Sequence, residues 1–98
     1  MSTYVVLGNF TEQGVRNVKE TTQRAEALRQ AAKKFGVTVK DVYWTLGAYD
    51  TITIVDAPDE AAVTALWLSI GAQGNVRTQT LRAFAPDEMG QILGRMNG

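Results

Sequence analysis

The sequence predicts an α+β fold in which strands and helices follow the order β-α-β-β-α-β, with a short helix appended at the C-terminus. Three observations carry this. Runs rich in β-branched and aromatic residues recur four times and stop at glycines or acidic turns. The two stretches that separate the outer runs from the central pair repeat apolar residues every three or four positions. Capping residues and Pro-Asp pairs mark where helices begin.

Taken in order, Thr3 to Phe10 contains Tyr4-Val5-Val6-Leu7 and reads as a strand ending near Gly8. Thr11-Glu12-Gln13-Gly14 opens a capped helix, and Val15, Val18, Thr22, Ala25, Leu28, Ala32 and Phe35 form its stripe. One continuous helix is expected, closed by Gly36. Asp41–Leu46 and Tyr49–Asp56 are two further strands around Gly47-Ala48, a tight hairpin; a two-residue turn sets Trp44 opposite Thr51 and Tyr43 opposite Ile52, whereas a three-residue turn flips one strand. Asp59 is the cap or a first-turn acid of a second helix, with Ala62, Val63, Leu66, Trp67 and Ile70 as its buried side and Gly71 and Gly74 at its end. Val76 to Phe84 is the fourth strand. Pro86-Asp87-Glu88 starts the last helix, whose Met89, Ile92, Leu93 and Met96 share one face and are expected to pack.

The economical arrangement is a ferredoxin-like split βαβ: one antiparallel sheet with both long helices on one side. Right-handed crossovers then give the strand order 4-1-3-2. The chain of 98 residues is expected to form a single domain over residues 1–98.

The sheet's second face is the informative part. The first strand sets Val5 and Leu7 against Tyr4 and Val6; the third sets Ile52 and Ile54 against Thr51, Thr53 and Val55. These central strands carry few charges, whereas a fully solvated face would normally alternate to Lys, Glu or Arg. The expectation is that the face bearing Tyr4, Thr51 and Thr53 is covered by another subunit's sheet, which makes a second copy of the chain the first predicted partner.

Composition removes much chemistry. There is no Cys and no His, which excludes disulfides, thiolate catalysis, zinc fingers, His-ligated haem and His-based triads. No metal site and no cofactor is expected. Ten basic residues balance ten acidic ones, so no overall field draws nucleic acid or an anionic membrane. Charge is nonetheless segregated, with a net +5 over residues 16–40 and −5 over residues 41–60. The third strand offers no stacking aromatics, so an RNA platform is missing. Gly71-Ala72-Gln73-Gly74 lacks flanking bases and reads as a helix end. The absence of a signal peptide and of cysteine fits a cytoplasmic protein.

What remains for chemistry is carboxylate, Tyr, Arg and Lys. Asp50, with Tyr49 before it, is the candidate acid or base and hydrogen-bond donor. Trp44, Tyr49, Asp50 and Arg77 are the candidate pocket lining, Arg77 being available to an anionic group. Arg77 and Arg82 lie five apart and point to opposite faces.

Four segments together resemble the GYD domain family: Tyr4-Val5-Val6-Leu7-Gly8-Asn9-Phe10-Thr11, Tyr43 through Asp50, Ala57-Pro58-Asp59, and Gly74 through Phe84. The family's Gly-Tyr-Asp element stands here as Gly47-Ala48-Tyr49-Asp50, so the tripeptide proper is Ala-Tyr-Asp. The resemblance implies a dimeric α+β barrel of bacterial type, two sheets packed face to face. The wider group includes cofactorless monooxygenases, muconolactone-type isomerases, haem enzymes and ligand-sensing regulatory domains. It implies no catalytic residues for this chain. The expected function is therefore small-molecule binding or cofactor-independent chemistry in a homodimer, or else a structural or regulatory oligomerisation module.

Overall fold

In the computed structural model, which describes residues 1–96, alternation of side chains sets the sheet. Strands β1 (Ser2–Phe10), β2 (Thr38–Trp44), β3 (Thr51–Ala57) and β4 (Val76–Ala83) form one antiparallel sheet in the order β2-β3-β1-β4. That is the order expected from right-handed crossovers. Helices α1 (Glu12–Arg16), α2 (Thr21–Lys33) and α3 (Glu60–Ala72) lie along the chain between the strands, and α4 (Pro86–Arg95) follows the last one.

Tyr4, Val6, Val55, Ala57 and Val39 from the sheet pack against Ala32 of α2 and Val63, Leu66 and Trp67 of α3. This corrects the expected facing. The side bearing Tyr4, Thr51 and Thr53 is the one the chain's own helices cover, with Tyr4 and Thr53 both buried. The uncovered side carries Val5, Leu7, Ile52 and Ile54 together with Tyr43 and Leu81, which the register aligns with them. Tyr43 is 55% and Leu81 41% exposed, so this apolar surface faces solvent in the single chain.

The expected first helix is broken. Thr11 accepts a hydrogen bond from the Gly14 N–H and caps α1 as predicted, but the helix stops at Arg16, and a 3₁₀ turn at Val18–Glu20 precedes α2. The cause is two anchors in different directions. Thr11 N donates to Asn75 O, and Gln13 Nε2 donates to Gln73 O and Asn75 Oδ1, which fixes α1 to the start of β4. A Cβ on Gly14 would collide with Asn75 O, so only glycine lets α1 approach that closely. Helix α2 instead lies over β2 and the core, so the axis must change between them. Val15 and Val18 are left exposed instead of joining the stripe.

Gly36, at φ +72°, ends α2 with Val37 N donating to Ala32 O, a Schellman closure. Strand β2 thus begins at Thr38, three residues before the expected Asp41. A register shift between Val39 and Asp41 places a bulge at Lys40, so Val39 and Val42 both face the core across an odd spacing. In the hairpin, Trp44 pairs with Thr51 and Tyr43 with Ile52, as expected. Thr45 N donates to Asp50 O at 2.8 Å and Gly47 supplies φ +99°. Leu46, expected in the strand, is fully exposed in the turn.

Asp59 caps α3 by accepting from Ala62 N at 2.8 Å, as predicted. Helix α4 forms, but none of its residues is buried, and Met89, Leu93 and Met96 are exposed. The expected packing of its apolar face is therefore absent within the single chain. Its start is held by Glu88, whose Oε1 accepts from Ala85 N at 3.1 Å and whose Oε2 pairs with Arg82 Nη2 at 2.9 Å.

Candidate functional site

The four sequence-predicted residues divide between the two sides of the sheet. Trp44 faces the helices, where its Nε1 donates to Thr21 Oγ1 at 3.0 Å. Arg77 aligns with Asn9 and lies exposed on the opposite, uncovered face. Tyr49 donates its hydroxyl to Gln79 Oε1 at 3.0 Å, reaching across the end of β1 to β4. Asp50 stitches the hairpin to β1: its N–H donates to Gly8 O at 2.8 Å, and its Oδ2 accepts from Phe10 N at 2.9 Å. These bonds continue the β1–β3 ladder one step past the Thr51–Gly8 pair. Tyr49, Asp50 and Arg77 therefore gather at one end of the sheet, joined there by Gln79, which sequence reasoning does not single out. Trp44 belongs to another environment.

That environment is a cavity of ≈ 90 Å³ between the helices and the sheet. Val6, Thr53 and Trp67 form its buried floor, while Trp44, Gln73 and Thr78 are exposed at its rim. Arg24 of α2 also lines it. Its Nη1 donates to Asn17 O at 2.9 Å, but its Nη2 is buried with no partner. The same carbonyl also accepts from Glu20 N–H at 3.1 Å, in the 3₁₀ turn that follows the break in the first helix. In the sequence Trp67 and Arg24 are only members of an apolar stripe and a basic segment, which is why neither stands out.

Arg82, on the helix-covered face opposite Tyr4, is a structural hub. Its guanidinium sits 5.7 Å from the Tyr4 ring centre and 4.5 Å from that of Phe84. The Arg82 and Arg77 side chains thus occupy opposite faces, as the five-residue spacing requires. The hydrogen bond from Arg82, reinforced by the Ala85 N–H, holds the Glu88 carboxyl below its usual value. Burial, with the negative charge of Glu60 behind it, pushes the Tyr4 phenol up, and its hydroxyl has no partner. Among the described residues no group of three or more Asp and Glu is placed to hold a metal ion, and no helix is long and apolar enough to cross a membrane.

Comparison with known proteins agrees with this architecture. A Thermus thermophilus protein named glutamine synthetase and cystathionine beta-lyase binding protein is 34% identical over 85 residues, 86% of this chain and 90% of that one. The crystal structure of TTHA0845, also from Thermus thermophilus, superposes with a TM-score of 0.56 at 28% identity, covering 87% of this chain and 95% of the other. The crystal structure of MtbAldR gives a TM-score of 0.68 at 19% identity over 86% of this chain, a likeness of fold. This chain spans about half of MtbAldR, 52% of its length. The GYD domain model matches residues 4–93, from the first strand into the last helix. The four segments that resemble that family thus lie on a ferredoxin-like α+β frame that the family model matches over most of this chain, and the chain belongs to the GYD domain family.

Proposed function

We propose that this chain is a homodimeric binding module of the cytoplasm, acting as a single domain. Two copies stack their uncovered sheet faces into an α+β barrel, and the assembled particle docks onto a metabolic enzyme. The observation that carries the reading is the uncovered face. Val5, Leu7, Ile52, Ile54, Leu81 and Tyr43 form an apolar surface across all four strands. The charged residues on that side lie at its margins. Asp41 and Arg77 sit on the two edge strands, and Asp56 sits near the end of β3, accepting from Thr3 Oγ1 at 2.8 Å. Burying each large apolar side chain stabilises by about 1.5–3 kcal/mol, so this face has a strong drive toward a self-complementary partner. The enzyme-docking half rests on the Thermus relative, whose name describes such a binding protein.

A second reading, small-molecule binding or cofactor-independent proton transfer inside the barrel, has one observation in its favour. Tyr49, Asp50, Gln79 and Arg77 form the polar end of the same face, which stacking would enclose.

Sedimentation velocity at micromolar concentration tests the assembly. The wild type should run as a dimer and Leu81→Asp as a folded monomer. A wild type that stays monomeric would sink the proposal. For docking, the dimer should co-sediment with purified glutamine synthetase or cystathionine beta-lyase. Co-migration with neither removes the enzyme-partner half and leaves the barrel reading as the better one.

A further inference from the structure

The helix-side cavity is separate from the face that carries the proposed function. It combines three features that a simple packing defect lacks. The first is an orphan donor: Arg24 Nη2 is buried without an acceptor, although a buried donor on a charged group is among the more expensive groups to leave unmet. Glu20 does not meet it, because its Oε2 lies 3.8 Å from the other nitrogen and its side chain is mostly in solvent. The second is polarity where the core should be dry. Thr53 is buried at 6% exposure among Val, Leu and Trp, and it lines the cavity with Thr51. The third is the wall. Both tryptophans of the chain, Trp44 and Trp67, line this one space.

Among the described lining residues Arg24 alone carries a charge, so the cavity presents one cationic fork and otherwise apolar and neutral polar walls. Its volume of ≈ 90 Å³ exceeds what one water needs, roughly 10–15 Å³. A guanidinium N–H with no acceptor, set in such walls, matches a planar oxyanion attached to an apolar body. We propose that this cavity is a binding site for a small organic carboxylate, its carboxylate on Arg24 and its apolar body against Trp44 and Trp67. The hydroxyls of Thr51 and Thr53 supply further hydrogen bonds along the floor. The site lies wholly within one protomer and does not depend on the dimer.

The tryptophans make the test direct, because the chain's entire indole fluorescence reports on the cavity. Benzoate and 3-methylbutanoate are titrated against the full chain, with benzamide and 3-methylbutanamide as neutral counterparts and inorganic phosphate as an anion without an apolar body. A saturable change with at least one carboxylate is expected. Its amide and phosphate should bind at least about tenfold more weakly, because the ionised hydrogen bond and the apolar contact are each lost in turn. Arg24→Gln should abolish the response. Ala25→Phe, which fills the cavity and leaves Arg24 in place, should abolish it too, so the proposal stays testable if the arginine variant folds poorly. Leu81→Asp should keep the response, which separates this site from the assembly. The proposal is overturned by no saturable response to either carboxylate up to about 10 mM. It is equally overturned by acid and amide binding alike, by phosphate binding as well as the carboxylates, by an unaltered folded Arg24→Gln, or by loss of the response in Leu81→Asp.

Discussion

At Asp50 the carboxylate and the backbone serve one purpose, the joining of the hairpin to β1. Two substitutions separate this role from proton transfer. Asn keeps an oxygen that can accept from Phe10 N, so Asp50→Asn should change stability by less than about 1 kcal/mol. Ala leaves that half-buried N–H without its acceptor and should destabilise by about 1–3 kcal/mol. Denaturant melts of both variants decide the matter, and equal losses from Asn and Ala would show that the charge rather than the acceptor matters. The motif segment is legible as a hairpin with the correct pairing of Trp44 and Tyr43. What cannot be read from it is that Asp50 reaches a strand forty residues earlier. Nor can the separation of Trp44 from Tyr49 and Arg77 be seen, because it depends on which face the helices cover. Residues Val5, Leu7, Ile52 and Ile54 look more like a core than Tyr4, Thr51 and Thr53 do. The helices nonetheless cover the second set, with Tyr4 in the core and Thr51 and Thr53 lining the cavity, and leave the apolar set outside.

Among the elements, β1, β3, α3 and β4 follow the sequence pattern because each uses a clean period of two or of 3.6 residues. The departures have causes that lie at a distance in the chain. The first helix breaks because α1 is tied to Asn75 and α2 to the core, and no property of residues 16–20 announces that. The alternation pattern starts β2 too late because the bulge moves the inward residues from Val39 to Val42. Helix α4 has the pattern of a packed helix and instead stands off, tethered through Glu88. The Glu88 carboxyl is held below its usual value, first by Arg82 and then by Ala85 N–H, so its ionised form favours the folded arrangement. That stabilisation is fully present above the ordinary carboxylate value of 4.5 and is lost as pH falls through the lower folded value. Acidification from neutral pH through that range should therefore loosen α4 before the sheet. Hydrogen exchange of the α4 amides checks this. Glu88→Gln should show the loosened α4 already at neutral pH and no further acid step, whereas an acid step persisting in that variant would assign the effect to another group.

As a whole the protomer is elongated, 53 × 31 × 18 Å, with a radius of gyration of 14.9 Å against about 13 Å for a compact chain of this length. A layer of helices on a sheet accounts for the thin dimension, and α4 extends the long one without a buried residue of its own. Such a shape leaves Met89, Leu93 and Met96 exposed, as it does Tyr43 and Leu81 on the open sheet face. In the dimer proposed above, folding is linked to association. The melting temperature of the wild type should rise with protein concentration, and that of Leu81→Asp should not. Concentration-independent melting of the wild type over the micromolar range would separate folding from assembly.

The bulge at Lys40 has a bearing on how far assembly can go. β2 and β4 are the sheet's two rims, and their free backbone groups are templates for further strands. The kink at Lys40, with its ammonium 3.8 Å from Asp56, disrupts the β2 rim, whereas β4 runs eight residues without one. A bulge that looks like an irregularity of one strand thus works against strand addition at the β2 rim.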